Sequence, residues 1–256
     1  MEKSKVCMAV FVIVSSFFWS SCENIDYDNN MEIIEQIELD DGGYVHFLSS
    51  ETGELLVASV SKENPEILVN KSPVEIYESL TGKTAPRRLV EASRIEYEYN
   101  DTGEDNENEE NDFQTPVNDV DASEIASENE MSKKNSMRLT FAGRMSAEEF
   151  IERYGFNYGD QTYLWTDVTG TGWAKSKCYT VSTDLVALRG KAIHKVQYKN
   201  SVLSKWKTVY AQVVPMGYRS HIMYGTSKKK RKKCYVYESP DSSRPVLYHA
   251  KIAFNK

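Results

Sequence analysis

A regular succession of short apolar segments occupies the C-terminal half of the chain and restricts the folds open to it. Seven candidate strands follow one another at intervals of roughly 8 to 16 residues, separated by turn-forming residues. They cover residues 162–167, 178–182, 192–198, 207–214, 219–224, 234–238 and 246–254. The sequence therefore predicts an antiparallel β-sandwich over residues 137–256.

Two of these segments alternate clearly between apolar and polar positions, as half-buried strands do. The residues on one face are Ala192, His194, Val196 and Tyr198 in one segment, and Val246, Tyr248, Ala250, Ile252 and Phe254 in the other. One short helix is expected before the strands, over residues 146–155, because Ser146 and Glu149 form a capping box and Gly155 can end it.

The region before residue 100 is mixed in character. Apolar runs over residues 44–48 and 55–60 suit a pair of strands, or a strand followed by a short helix. Ser72 with Glu75 forms a capping box that starts a helix ending at Gly82. A second helix is expected over residues 86–93. We therefore expect a small α+β subdomain over residues 43–99, in a chain that is mainly β overall.

Charge divides the chain into two halves of opposite sign. Residues 23–136 hold 8 Lys and Arg against 29 Asp and Glu, whereas residues 137–256 hold 21 against 8. Residues 100–136 are the most acidic and carry few apolar side chains, so we expect a disordered linker there. The glycine and the terminal glutamate of a calcium loop do not occur at the required spacing in this segment. No metal or cofactor is expected.

The first 22 residues have the form of a secretory signal. Lys3 and Lys5 precede an apolar or small run over residues 6–19, and Ser20 and Ser21 lead to Cys22. The apolar run is shorter than the roughly 20 residues of a membrane-spanning helix. We expect residues 1–21 to be removed and residues 22–42 to form a flexible tether.

The cysteine at the cleavage position makes this segment resemble the signal of a bacterial lipoprotein. Trp19 departs from the leucine usual in that motif, but the acidic stretch ENIDYDNN after Cys22 looks like the tethers of surface-exposed Bacteroidetes lipoproteins. The resemblance implies a lipid on Cys22 and a place in the outer membrane or at the cell surface, with the periplasmic face as an alternative. It covers about thirty residues and implies no fold.

The densest charge in the chain is the run KKKRKK, which we expect in a solvated loop between two strands. It consists of Lys228, Lys229, Lys230, Arg231, Lys232 and Lys233. Three interpretations stay open: a loop that aids solubility, a contact to lipid phosphates or an anionic glycan, and a contact to the chain's own acidic linker. No nucleic-acid partner is expected, because the signal exports the domain.

Other candidate site residues are few. Cys178 and Cys234 could form a disulfide in an oxidising compartment, or could be two buried free thiols. Trp165, Trp173 and Trp206 could stack against sugar rings, or could belong to the core. His194, His221 and His249 lie on three predicted strands but accompany no catalytic motif.

These observations favour a lipid-anchored envelope or surface protein that binds a glycan or another envelope component without catalysis. This step rests on analogy with other surface lipoproteins. A hydrolase would require the three histidines to converge beside a carboxylate in a concave pocket. A purely structural envelope protein is the third interpretation. The sequence does not indicate an oligomeric state.

Overall fold

The computed structural model describes residues 26–28, 30–62, 71–94, 113–114, 138–143, 145–146, 149 and 159–256. Twelve strands and two helices lie in these ranges, so the prediction of a mainly β chain is confirmed. The helices are α1 (Pro73–Thr81) and α2 (Arg87–Ser93). The strands are β1 (Asp26–Tyr27), β2 (Met31–Glu38), β3 (Tyr44–Ser50), β4 (Leu55–Ser61), β5 (Phe113–Gln114), β6 (Arg138–Ala142), β7 (Gln161–Thr169), β8 (Gly172–Arg189), β9 (Ala192–Lys199), β10 (Lys207–Val214), β11 (Arg219–Glu238) and β12 (Leu247–Asn255). None of the described helices is long and apolar enough to cross a membrane.

Two long neighbouring strands, β8 and β11, form the centre of the sheet. They run antiparallel, with an irregularity in register between Gly225 and Lys230. On its other side, the first part of β11 pairs with β4 and the last part pairs with β9. The main strand order is β1-β10-β9-β11-β8-β12-β7-β6, with β3 and β2 continuing outward from β4. Because the partner of β11 changes along its length, the 12-stranded sheet has two parts that share β8 and β11. We call the part with β2, β3, β4, β12, β7 and β6 the first sheet and the part with β1, β10 and β9 the second sheet.

The main hydrophobic core lies between these two sheets. One cluster of buried side chains includes Leu56 of β4 and Ile252 of β12 from the first sheet, together with Val196 of β9 and Val209 of β10 from the second. Long strands that pass from one sheet to the other form the corners of such a sandwich. The predicted alternation is confirmed in β9, whose pattern of buried and half-buried residues has a period of two.

The two helices cover the outer surface of β3 and β4. Val45 and Phe47 of β3 pack in a second cluster with Ile76 of α1 and Leu89 of α2. The start of α1 has the predicted capping box, since the Ser72 hydroxyl accepts a hydrogen bond from the Glu75 amide and the Glu75 carboxylate accepts one from the Ser72 amide. Strands β3 and β4 are therefore buried on both faces.

The structure corrects the predicted organisation of the N-terminal half. The range predicted as a flexible tether, residues 22–42, contains β1 and β2. The predicted subdomain, residues 43–99, shares a sheet with the C-terminal strands, because β4 pairs with β11 from Leu55 to Ser61. The prediction did not anticipate this pairing because it joins segments about 160 residues apart, and local patterns carry no information about such partners.

Two further expectations concern segments that are only partly described. Of the predicted linker, residues 100–136, the structure describes only β5, which pairs with β8. Most of the predicted helix over residues 146–155 also lies outside the described residues. Within it, the Ser146 hydroxyl accepts a hydrogen bond from the Glu149 amide at 3.1 Å, as a capping box requires.

Candidate functional site

The basic run was predicted to form a solvated loop. It lies instead within strand β11. The prediction of separate strands over residues 219–224 and 234–238 is also wrong, because one strand continues through the run. Successive side chains of a strand point to opposite faces, so the run divides into an inward and an outward set. Lys230 and Lys232 lie on the inward side, whereas Arg231 and Lys233 lie on the outward side.

Lys232 is buried completely, although a solvated position was expected for every member of this run. Its Nζ donates hydrogen bonds to the carbonyl oxygens of Cys178 (2.9 Å) and Tyr179 (2.5 Å) and to Oγ1 of Thr226 (2.7 Å). It also lies 5.2 Å from the ring centroid of Tyr224. All three N–H donors are satisfied, while burial lowers the pKa of Lys232 to about 8.

Lys230 forms an ion pair with Glu54, which lies in the turn before β4. Its Nζ is 4.6 Å from the ring centroid of Tyr198, whose hydroxyl donates a hydrogen bond to Asp28. Burial, followed by the charges of Asp28 and Glu54, raises the pKa of Tyr198 to about 12. Lys230 therefore connects the central strand to the N-terminal part of the fold, whereas Lys232 joins β11 to β8, and both inward lysines are structural.

The outward side chains of β8, β9 and β11 form a surface that we call the basic face. Its cations are Lys175, Lys177, Lys195, Lys199, Arg231 and Lys233. In the register, Lys233 lies directly opposite Lys175, and Arg231 lies directly opposite both Lys177 and Lys199. Directly opposed residues of an antiparallel pair point to the same side, so these cations are close neighbours.

Electrostatic crowding is evident at the end of β9. The pKa of Lys199 is lowered, first by partial desolvation and then by the charges of Arg231 and Lys175. The sequence adds no acidic residue to this part of the molecule, because none of the 53 residues between Asp184 and Glu238 is Asp or Glu. The same interval contains thirteen Lys and Arg residues. The basic face is thus a concentrated positive surface.

Aromatic rings lie among these cations. Lys233 Nζ is 4.4 Å from the ring centroid of Trp173 and 4.7 Å from that of Tyr235, and Lys175 Nζ is 5.5 Å from Trp173. These distances are within the range of cation–π contacts. Trp173 is half-buried and directly opposite Tyr235, so a ring edge and two ammonium groups are presented together.

The three tryptophans predicted as glycan contacts have three different settings. Trp165 is 1% exposed in the main core, so its prediction as a stacking platform is wrong. Trp173 lies on the basic face. Trp206 lies at the start of β10, where Lys199 Nζ is 5.1 Å from its ring centroid.

The three histidines do not form one site. His194 points into the main core, where its ring contacts Thr183 Oγ1 at 3.0 Å and Ser220 Oγ at 2.6 Å, and burial lowers its pKa to about 3. His221 follows Ser220 in the same strand and therefore points to the opposite side of the sheet. Because the rings of His194 and His221 lie on opposite sides of the sheet, the geometry does not support a hydrolase built from the three.

A buried ion cluster, which the sequence analysis missed, lies on the outer side of the first sheet. Asp184 of β8 is directly opposite His221 of β11 and Lys251 of β12. Its Oδ1 is 2.9 Å from His221 Nδ1 and 3.7 Å from Arg219 Nη2, and its Oδ2 is 2.6 Å from Lys251 Nζ.

These three neighbours determine the charge state of Asp184. Burial alone would raise the pKa of this carboxyl, but Lys251, His221 and Arg219 together hold it well below its usual range. A carboxylate enclosed by cations in this way lacks the free lone pairs and access of a catalytic base. The sequence signal for the cluster was a lone charged residue in each of two otherwise uncharged segments, Asp184 within residues 180–188 of β8 and Lys251 within β12.

The candidate disulfide is not formed. Cys178 and Cys234 are both free and buried, as in the second interpretation of the sequence. The register places Cys234 opposite Ala174 and Cys178 opposite Lys230. The two cysteines are therefore not opposite each other and are offset by several residues along the paired strands. Among the described residues, no group of three or more His, Cys, Asp or Glu side chains could hold a metal ion.

Comparisons with known proteins identify no family. No protein-family model matches the chain, and no curated protein matches it. A crystal structure of a glycoside hydrolase family 43 arabinoxylan arabinofuranohydrolase from Bacillus subtilis, in complex with cellotetraose, is similar at a TM-score of 0.24 and 9% sequence identity. The alignment covers 91% of this chain and 53% of that enzyme, so this chain spans about half its length. A similarity this low carries no conclusion about fold or function.

Proposed function

We propose that this chain is a non-catalytic binding module that contacts an anionic glycan through the basic face. We also propose that a lipid on Cys22 holds it at the outer membrane or cell surface. The observation that supports the binding role is the direct opposition of like charges, Lys233 against Lys175 and Arg231 against Lys177 and Lys199.

The opposition of like charges does not itself stabilise the strand pairs. Opposite charges placed across a strand pair stabilise a sheet, whereas like charges placed there oppose its formation. A polymer that carries carboxylates or sulfates would contact several of these cations at once. Trp173 and Tyr235 add flat apolar surfaces against which a sugar ring can pack. The combination therefore suits a charged carbohydrate better than a small inorganic anion.

The proposed anchor rests on the N-terminal sequence, because Cys22 lies outside the described residues. The first described residue is Asp26, in strand β1 at the edge of the second sheet. Four residues span at most about 14 Å, so a lipid on Cys22 would hold this edge close to the bilayer. We expect Cys22→Ala to abolish lipid labelling and to reduce membrane fractionation. Unchanged fractionation without lipid label would rule out the anchor.

Binding is tested with the mature chain, residues 22–256, carrying Cys22→Ser so that no lipid is attached. We expect retention of this protein on immobilised heparin and polygalacturonate, which carry sulfates and carboxylates, but not on neutral dextran. Retention on none of the three would leave a purely structural role. Equal retention on dextran would show that the basic face is not the determinant.

One observation favours a second candidate, an intramolecular contact with the acidic run before residue 113. Strand β5 places Gln114 opposite Trp173, at the edge of the basic face. Chain connectivity therefore holds the end of the acidic run beside that face. If this contact forms, the radius of gyration in small-angle X-ray scattering should rise with salt concentration. An unchanged radius would remove this candidate without affecting the first.

A further inference from the structure

The turn between β9 and β10 presents two adjacent aliphatic side chains to solvent. Leu203 is 97% exposed and Val202 is 54% exposed. The other large apolar side chains exposed in the described part of the chain, Ile33 and Met216, occur singly. Isolated exposed apolar residues are ordinary, but an adjacent pair at the end of a projecting hairpin is not explained by the core.

Hydrogen bonds hold this turn in one conformation. The amide of Ser201 donates to Oγ of Ser204 at 3.0 Å, and the amide of Ser204 donates to Oγ of Ser201 at 3.2 Å. Lys199 Nζ donates to the carbonyl oxygen of Val202 at 2.8 Å. The backbone that carries the two aliphatic side chains is therefore ordered in advance, so that only their rotamers are restricted on binding.

The surroundings of the pair indicate what kind of surface it fits. Lys199, Lys205 and Lys207 flank it, and the half-buried ring of Trp206 lies just behind it. Aliphatic tips enter the hydrocarbon boundary of a bilayer, tryptophan prefers the headgroup level, and lysines attract anionic headgroups. A hydrophilic glycan offers nothing to Leu203, so this turn differs chemically from the basic face.

We propose that the β9–β10 turn is a membrane-contact site, with Val202 and Leu203 inserted into the surface of an anionic bilayer. The proposal relies on the envelope location proposed above, but not on glycan binding. Lys199 belongs both to this turn and to the basic face, so contact at the turn would place the basic face next to the headgroups. An N-terminal lipid limits the distance of the protein from the membrane, whereas this second contact would determine its orientation.

The test uses the unacylated mature chain, residues 22–256 with Cys22→Ser, which retains every described residue. Its partition to vesicles of phosphatidylcholine and phosphatidylglycerol in equal parts is measured by co-sedimentation. We expect Val202→Ser with Leu203→Ser to reduce the partition coefficient at least tenfold. Met216→Ser is the matched control, because Met216 is a similarly exposed apolar residue (57%) in the next turn, and it should change the coefficient less than twofold.

Three results would overturn the proposal. The first is an absence of binding to these vesicles by the parent protein. The second is unchanged partition of the double serine variant. The third is sedimentation velocity showing a dimer that the double variant dissociates, since the occupant would then be a second copy. Retention on heparin should be the same in the parent protein and the double variant, so failure here is distinguishable from failure of the glycan proposal.

Discussion

Lys232 and Lys233 are neighbours in the chain, but their side chains lie in opposite environments. Lys232 is fully buried with three hydrogen-bond acceptors, whereas Lys233 lies on the basic face, 4.4 Å from the ring centroid of Trp173. The pleat of β11 assigns them to opposite sides. One of the two lysines is therefore part of the core, and the other is part of a half-exposed surface.

The buried lysine should make stability depend on pH in the alkaline range. Its pKa is lowered to about 8 in the folded protein from 10.5, so between these values the unfolded chain binds more protons and stability rises with pH. We expect the free energy of unfolding to rise by about 1 to 2 kcal/mol between pH 8 and 9.5. Urea denaturation at a series of pH values measures this rise.

The variant Lys232→Met provides the comparison. It keeps an unbranched side chain but has no titrating group, so its unfolding free energy should be flat over the same interval. The window ends below pH 10 because Tyr198, with its pKa raised to about 12, lowers stability above that value. An equal rise in the parent and the variant would assign the effect to other groups.

The Asp184 cluster should be the most sensitive electrostatic site in the described structure. Asp184→Asn leaves the buried cation of Lys251 without its carboxylate, which typically costs about 3 to 5 kcal/mol. Asp241→Asn is the control, because its carboxylate forms an exposed ion pair with Lys191. Chemical denaturation should show a large loss for the first variant and no measurable loss for the second. Similar losses in both would mean that the cluster is not a buried charge network.

Two core histidines should make the protein sensitive to acid. Burial lowers the pKa of His194 to about 3 and that of His46 to about 4. In the unfolded chain both titrate near 6.5, so stability is retained above that pH and is lost progressively as the pH falls below it. Between pH 7 and 5 each should remove about 2 kcal/mol of unfolding free energy.

Replacement of one histidine tests this expectation. His194→Gln should reduce the difference in unfolding free energy between pH 7 and 5 by about half, whatever its effect at pH 7. The unfolding free energy at the two pH values can be measured by tryptophan fluorescence during denaturation. A difference as large as that of the parent protein would show that His194 is not neutral in the core.

The two cysteines of the described domain should be unreactive in the folded state. Both are buried, and burial raises the pKa of Cys234 to about 12. In the mature chain with Cys22→Ser, a thiol reagent should detect no thiol under native conditions and two after denaturation without reductant. Detection of no thiol after denaturation would indicate a disulfide and a different register between β8 and β11.

Most strands of residues 137–256 could be predicted because burial of one face of a strand produces an alternating pattern in the sequence. The alternation of β9 places Val196 inward and Lys195 outward, and it is visible without a structure. The same alternation, followed backward from Val236 through Cys234, reaches Lys232 and could have identified it as an inward residue. The inward position of Lys232 is hidden when the six basic residues are considered as one segment.

The sequence contains no comparable pattern that shows which residues pair across strands. The pairing of Asp184 with Lys251 depends on the register of β8 with β12, and that of β4 with β11 depends on the whole topology. Neither can be inferred from local propensity, because each joins distant segments. The basic face has the same origin, since Lys175 and Lys233 become neighbours only through the sheet.

We propose above that the outward cations of β11 bind an anionic glycan. The most direct measurement is calorimetric titration of heparin into the unacylated mature chain, compared with Arg231→Gln/Lys233→Gln and with Lys83→Gln/Arg244→Gln. Both double variants remove two positive charges, but Lys83 and Arg244 are exposed residues outside the basic face. We predict at least tenfold weaker binding for the first variant, a change below twofold for the second, and weaker binding by the parent protein as salt rises. Equal affinity of the two double variants would contradict the claim.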